Sequence, residues 1–138
     1  MTTIFSRIVA GEIPSAAIYE DELTFAFLDI SPASVGHALV ICKHEHTDLL
    51  AVPPETLAAV AQTTQRVARA IMTVLQPDGI TVVQNNGAAA GQTVFHYHVH
   101  VIPRHAGDGV LQTWVPQPAE ATVLADLAAQ LRTSTSAV

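Results

Sequence analysis

Between Thr93 and Pro103 the chain reads Thr-Val-Phe-His-Tyr-His-Val-His-Val-Ile-Pro, and no other stretch limits the fold as tightly. Successive side chains of an extended strand point to opposite faces. The spacing therefore predicts a strand with His96, His98 and His100 on one face and Tyr97, Val99 and Val101 on the other. The apolar row needs a core beneath it. The imidazole row is hard to explain as packing, because histidine is only intermediate in burial and each buried ring nitrogen requires a partner. The row has three readings: a solvent-facing strand without a function, a zinc site built on His-x-His, and a phosphate-handling site, which we favour.

A chain of 138 residues is one domain by the usual prior, residues 1–138, long enough for a sheet with a helical cover over a single core. Ile4, Phe5, Ile8 and Val9 have the spacing of a short amphipathic helix ended by Gly11. Beyond Ile13-Pro14-Ser15, the runs Ala17 to Tyr19 and Leu23 to Leu28 flank Glu20-Asp21-Glu22 and read as a hairpin. A breaker-rich loop from Asp29 to His37 delivers a carboxylate and an imidazole, Asp29 and His37, to the start of a strand from Ala38 to Cys42. Asp29 could alternatively cap that loop through backbone amides. The segment 43–48 is polar, and its two histidines have no matching carboxylate or cysteine to suggest a metal.

From Pro54 the apolar period changes to three and four and persists to Leu75, predicting a long helix laid on the sheet, opened by Pro53-Pro54-Glu55 and closed by Pro77-Asp78-Gly79. Ile80 to Gln84 is a β-branched strand. The small residues of 85–93 form a loop whose amides could approach a phosphate, or an ordinary hairpin connection. Pro118 to Arg132 reads as a third helix whose apolar face needs a partner, and Thr133 to Val138 as a frayed tail.

The formal net charge is −6 and charged residues make up only 13%, which argues against polymeric nucleic acid as a partner. Cys42 is the sole cysteine; it allows no internal disulfide or Cys-x-x-Cys knuckle and suits a reducing, cytoplasmic setting. No apolar run approaches membrane-spanning length, so no membrane association is expected.

The run Gly91 to Ile102 resembles the signature of the histidine triad (HIT) superfamily of nucleotide hydrolases and transferases. Ile4-Phe5, Glu12-Ile13-Pro14, Tyr19-Glu20-Asp21, Phe27 to Pro32 and Gly36 to Ile41 resemble the N-terminal half of that family in order and spacing. The resemblance implies an α+β fold with an antiparallel sheet of about five strands, one long and one or two shorter helices, and a homodimer formed through the long helix and the strand beside it. It implies a reaction at the α-phosphate of a purine nucleotide such as AMP. His98 would be the nucleophile, its far ring nitrogen held by the His96 carbonyl, and His100 the donor to the non-bridging oxygens. His96 and His37 would be supporting histidines, and Thr93 and Asn85 polar neighbours of the leaving atom. Asp29 would accept the ribose hydroxyls; Phe5, Ile8, Ile13, Phe27, Leu28 and Ile30 would wall the base pocket; and Gly91 and Gln92 would belong to the nucleotide loop. For each apolar residue, simple core packing is an equal alternative.

Some bacterial members of that family begin with Cys-x-x-Cys and bind a structural zinc. Here the matching positions are Thr3 and Ser6, with Glu45 at a downstream histidine position, so no metal and no cofactor are expected. Phe27 to Pro32 resembles the Hint-like branch, which cleaves nucleoside phosphoramidates. Ala90 to Val94 and Val101 to Asp108 resemble the Fhit-like dinucleoside polyphosphate (Ap3A/Ap4A) hydrolases, with Arg104 and the 87–92 loop as candidate holders of a polyphosphate. We favour the first; a non-catalytic AMP-binding sensor or scaffold is an alternative of another class.

Overall fold

The computed structural model describes residues 2–135. The predicted elements form in the predicted order: α1 (Ile4–Val9), β1 (Ala17–Glu20), β2 (Thr24–Leu28), β3 (Ala38–Cys42), α2 (Pro54–Leu75), β4 (Gly79–Val83), β5 (His98–Arg104) and α3 (Ala121–Thr135). The five strands make one sheet in the order β1-β2-β3-β5-β4, with every neighbouring pair antiparallel. The architecture is α+β, as expected.

The amphipathic stripe of α2 covers one face of the sheet. Val60, Val67 and Ile71 pack on Ala26, Val40, Cys42, Tyr97, Val99 and Val101 in the main core. A buried hydroxyl pair fixes how the helix sits: Thr63 Oγ1 lies 2.7 Å from Thr24 Oγ1, which also donates to Asp21 Oδ1. A buried polar group costs little when its partners are present. On the opposite face, Phe5 of α1 joins Phe25, Phe27, Leu39 and Ile41 in a second apolar cluster. The two faces of the sheet thus have different work.

Three expectations need correction. The strand begins at His98 rather than Thr93, because its last partner on β3 is Ile41, opposite His98. Upstream the backbone is taken by a loop contact, with the Tyr97 amide donating to the His46 carbonyl at 2.7 Å. The alternation of faces survives, but His96 belongs to the bend that enters the strand. At the other end, helix α3 starts at Ala121, not Pro118, and runs through Thr135, so 133–135 are helical rather than frayed; 136–138 lie outside the described residues. Helix α3 buries none of its residues, and Val123, Leu124, Leu127 and Leu131 are exposed along it.

Gly36 marks where fold and site meet. Its φ is +91°, and a Cβ there would run into the Leu75 side chain. Only glycine lets the chain turn against the end of α2 and deliver His37 to β3. No helix among the described residues is long and apolar enough to cross a membrane.

Candidate active site

On the face away from α2, β3 and β5 align Leu39 with His100 and Ile41 with His98, and a pocket of about 270 Å³ opens above them. Of the residues expected from sequence, Phe5, Ile8, Ile13, Phe27, Asp29 and Ile30 line it together with Thr93, His98 and His100. Ile4, Pro14, Ser15, Leu39 and Val94 also line it, and sequence reasoning missed them. Two carried a usable signal: Ile4 precedes Ile8 by one helical turn, and Leu39 alternates with the core-facing Val40.

Six expected residues do not line it: Leu28, His37, Asn85, Gly91, Gln92 and His96. Leu28 is turned to the α2 side, because strand alternation sends it opposite to Phe27. Gln92 is buried inside its loop, where Oε1 accepts from the Gly87 amide and Nε2 donates to the carbonyls of Thr47 and Val94. Gly91 closes a short 3-10 turn (Ala88–Ala90) at φ 94°, and Asn85 sits against it. These three frame the loop and are not part of the pocket wall. His96, fully buried, stands behind the wall.

Hydrogen bonds fix which edge of each imidazole is bare. His98 Nδ1 is 2.6 Å from the His96 carbonyl oxygen. A carbonyl can only accept, so Nδ1 carries the proton and Nε2 keeps its lone pair. The next pair has the reverse arrangement. The Ala33 amide donates to His37 Nδ1 at 2.9 Å, so His37 holds its proton on Nε2, 3.0 Å from His100 Nδ1. His100 Nδ1 therefore accepts, and its proton sits on Nε2. One ring presents a lone pair and its neighbour an N–H.

Burial keeps these rings neutral. Desolvation lowers the pKa of His37, against the nearby Asp29 carboxylate, and of His98, against the His96 carbonyl and Asp29. For His100, burial together with the His98 and His37 rings pulls the pKa to about 4. Asp29 divides its carboxylate: Oδ1 accepts from the Ser31 amide at 2.8 Å, the loop-capping role, while Oδ2 lies 3.6 Å from His37 Nε2.

Asp29, His37 and His100 have donor atoms within 4.8 Å of one another, close enough in principle for a metal ion. The facing nitrogens of His37 and His100 are already bonded to each other, so an ion would have to break that link. The positions matching the family's zinc ligands fit a metal no better. Thr3 Oγ1 lies 2.7 Å from His96 Nδ1, and Ser6 Oγ donates to Glu45 Oε1 at 2.6 Å. Two hydroxyls take the place of two thiolates, and hydroxyls are not among the usual zinc donors.

Arg104, a candidate for holding a polyphosphate, is outside the pocket. Its Nε and terminal nitrogens donate to both Asp108 oxygens, at 2.9 and 2.6 Å, and to Thr81 Oγ1. This pairing holds the Asp108 carboxyl well below the usual range. Among the described residues no lysine or arginine lines the pocket. Cys42 is buried, and desolvation raises its thiol to about 11, consistent with a packing residue.

A HIT domain family model matches residues 10–107. "Protein hit" of Bacillus subtilis is 46% identical over 112 residues, covering 80% of this chain and 77% of that protein. Adenylylsulfatase HINT3 of Arabidopsis thaliana is 39% identical over 105 residues, covering 76% of this chain and 53% of the plant protein. A zinc-bound histidine triad family protein from Mycobacterium smegmatis superposes with a TM-score of 0.76 at 44% identity, over 97% of this chain and 98% of that one. Through its family model, its relatives and its sheet alike, the chain belongs to the HIT domain family.

Proposed function

We propose that this protein is a hydrolase acting at the α-phosphate of purine nucleotides through a nucleotidyl-histidine intermediate on His98, with adenosine phosphoramidates as its preferred substrate class. The observation that carries the reading is the His98 tautomer: Nδ1 is committed to the His96 carbonyl, which leaves Nε2 as a neutral nucleophile on a residue lining the pocket. In the first step, Nε2 bonds to phosphorus and the P–N bond to the amine breaks. The departing amine takes up a proton, for which the Thr93 hydroxyl is a relay. Water then attacks phosphorus and gives up a proton to solvent, replacing the one solvent supplied to the amine through Thr93; the P–Nε2 bond breaks, and AMP and neutral His98 are released. The N–H of His100 stabilises the non-bridging oxygens, where charge is held through both transition states.

Asp29 suits the ribose hydroxyls, and the apolar wall of Phe5, Ile8, Ile13 and Phe27 suits a purine. The adenylylsulfatase relative from Arabidopsis supports hydrolysis at an adenylyl group. Since every step is assigned to side chains, activity is expected to survive a chelator. A homodimer fits the apolar residues exposed on α2 and on edge strand β4, Met72, Val74 and Val82.

The test is a quench of the enzyme with adenosine phosphoramidate labelled in its α-phosphate. Label recovered on His98 supports the reading. Turnover without an adduct on any histidine would replace it with direct attack by water.

A further inference from the structure

We propose that Thr3, Ser6 and Glu45 form a polar clasp that positions the His98 ring through His96, using hydrogen bonds where other members of the family place a metal. The proposal rests on the reading of His98 as nucleophile. It begins with His96, which is fully buried. Its Nε2 lies 2.6 Å from the Cys42 carbonyl oxygen, an obligate acceptor, so Nε2 carries the proton. Desolvation, the largest influence on this ring, lowers its pKa and favours the neutral form. Nδ1 is then a buried acceptor, and the hydroxyl of Thr3, 2.7 Å away, is its donor. The ring is fixed on both edges, and the same residue's carbonyl holds His98 Nδ1.

Thr3 is itself held. As the N-cap of α1 its Oγ1 accepts from the Ser6 amide at 3.1 Å. Its own amide donates to Glu45 Oε1, which also accepts from Ser6 Oγ. Those contacts pull the Glu45 carboxyl below its ordinary range, the Ser6 hydroxyl contributing most, which keeps the anchor charged. Glu45 lies on the segment just after β3, so the clasp ties the first turn of α1 to the strand that carries the Cys42 carbonyl. Between the tied points Phe5 meets the His98 ring edge-on, with centroids 5.0 Å apart, and the His96 ring at 5.8 Å. A loosened clasp frees the His96 ring and Phe5 together. Both set the aim of His98, and neither changes the chemistry of the ribose contact at Asp29.

The clasp residues are therefore positioning residues, and removing them should slow attack on phosphorus more than it weakens binding. Thr3→Val keeps the shape and deletes the donor to His96. The expected result is adduct formation on His98 slower by about tenfold or more, with AMP affinity within about threefold of wild type. Thr3→Ser, which keeps the hydroxyl, should restore the rate. Imidazole nitrogen NMR supplies a readout that a purely structural role would not move: the His98 Nε2 resonance should shift from the unprotonated position toward a tautomeric average. If Thr3→Val does not fold, Glu45→Ala at the exposed end of the clasp should show the same effect in smaller measure. Wild-type adduct rates and an unchanged His98 resonance in the folded variant would overturn the clasp. Full turnover in His98→Ala would instead overturn the underlying mechanism, so the two failures are distinguishable.

Discussion

His98 donates from Nδ1 to the carbonyl of His96, whereas His100, two residues on, accepts at Nδ1 from His37. Neighbouring rings on one strand face are thereby held in opposite tautomers. The difference is built from a backbone carbonyl on one side and a chain from Ala33 through His37 on the other. The two rings are not interchangeable.

Replacing each ring should consequently give distinct losses. His98→Ala is expected to abolish turnover while AMP affinity stays within about tenfold, because the covalent step is lost and little ground-state binding goes with it. His100→Ala should slow the reaction by about 3 kcal/mol of transition-state stabilisation yet leave the adduct on His98 detectable. Single-turnover trapping checks both, and label on His100 in the wild type would reverse the roles.

Much of this arrangement could be read from the sequence because it is periodic. Tyr97, Val99 and Val101 lie in the core and His98 and His100 in the pocket as alternation requires, and the α2 stripe put Val60, Val67 and Ile71 in the core, whereas Ala61, Val74 and Leu75, which share its period, are exposed. The base wall was legible as a set, but Leu28 entered it through the family resemblance, whereas strand alternation turns it away from Phe27. What could not be read depends on contacts between distant segments. The Thr3–His96 and Ser6–Glu45 hydrogen bonds join residues 93 and 39 positions apart, and no local pattern announces them. The same holds for Arg104: its basic charge suggested phosphate, and only the fold shows Asp108 occupying it.

The depressed histidines imply a pH dependence whose sign can be worked out. An ordinary imidazole titrates near 6.5, and His100 in the folded protein near 4. Above 6.5 both folded and unfolded states are neutral, and this residue adds no pH dependence. Between 6.5 and about 4 the unfolded chain takes up a proton that the folded one refuses, so stability falls as pH falls through that window. His37 and His98, shifted in the same direction by burial, add to the slope. Urea unfolding at pH 7 and pH 5 should show lower stability at pH 5, and His100→Gln should reduce the difference. Equal stabilities at the two values would show that burial does not hold the rings neutral.

Gly36 offers a test of how the loop delivers His37. Alanine there would adopt a strained positive φ and push aside the half-exposed tip of Leu75, and the expected cost is about 1 to 3 kcal/mol, most of it from the backbone. Because His37 follows directly and sets the His100 tautomer, turnover per folded molecule should fall as well. Denaturant midpoints and activity measured on one preparation separate the two effects.

Substrate preference follows from what surrounds the leaving group. An amine leaves phosphorus once it has taken a proton, whereas a nucleotide leaves a polyphosphate as a stable anion whose charge must be held. The pocket offers Thr93 for the first task. For the second it offers no lysine or arginine among the described residues lining it, on a chain of net charge −6. Arg104 cannot serve without breaking its two hydrogen bonds to Asp108. Adenosine phosphoramidates should therefore exceed diadenosine tri- or tetraphosphate by at least about tenfold in kcat/KM. Arg104→Ala should leave that ratio unchanged, although losing the Asp108 pairing lowers stability. A ratio favouring the dinucleotide, with that activity lost in Arg104→Ala, would mean that the arginine leaves Asp108 when substrate binds and that the segment after β5 selects the leaving group.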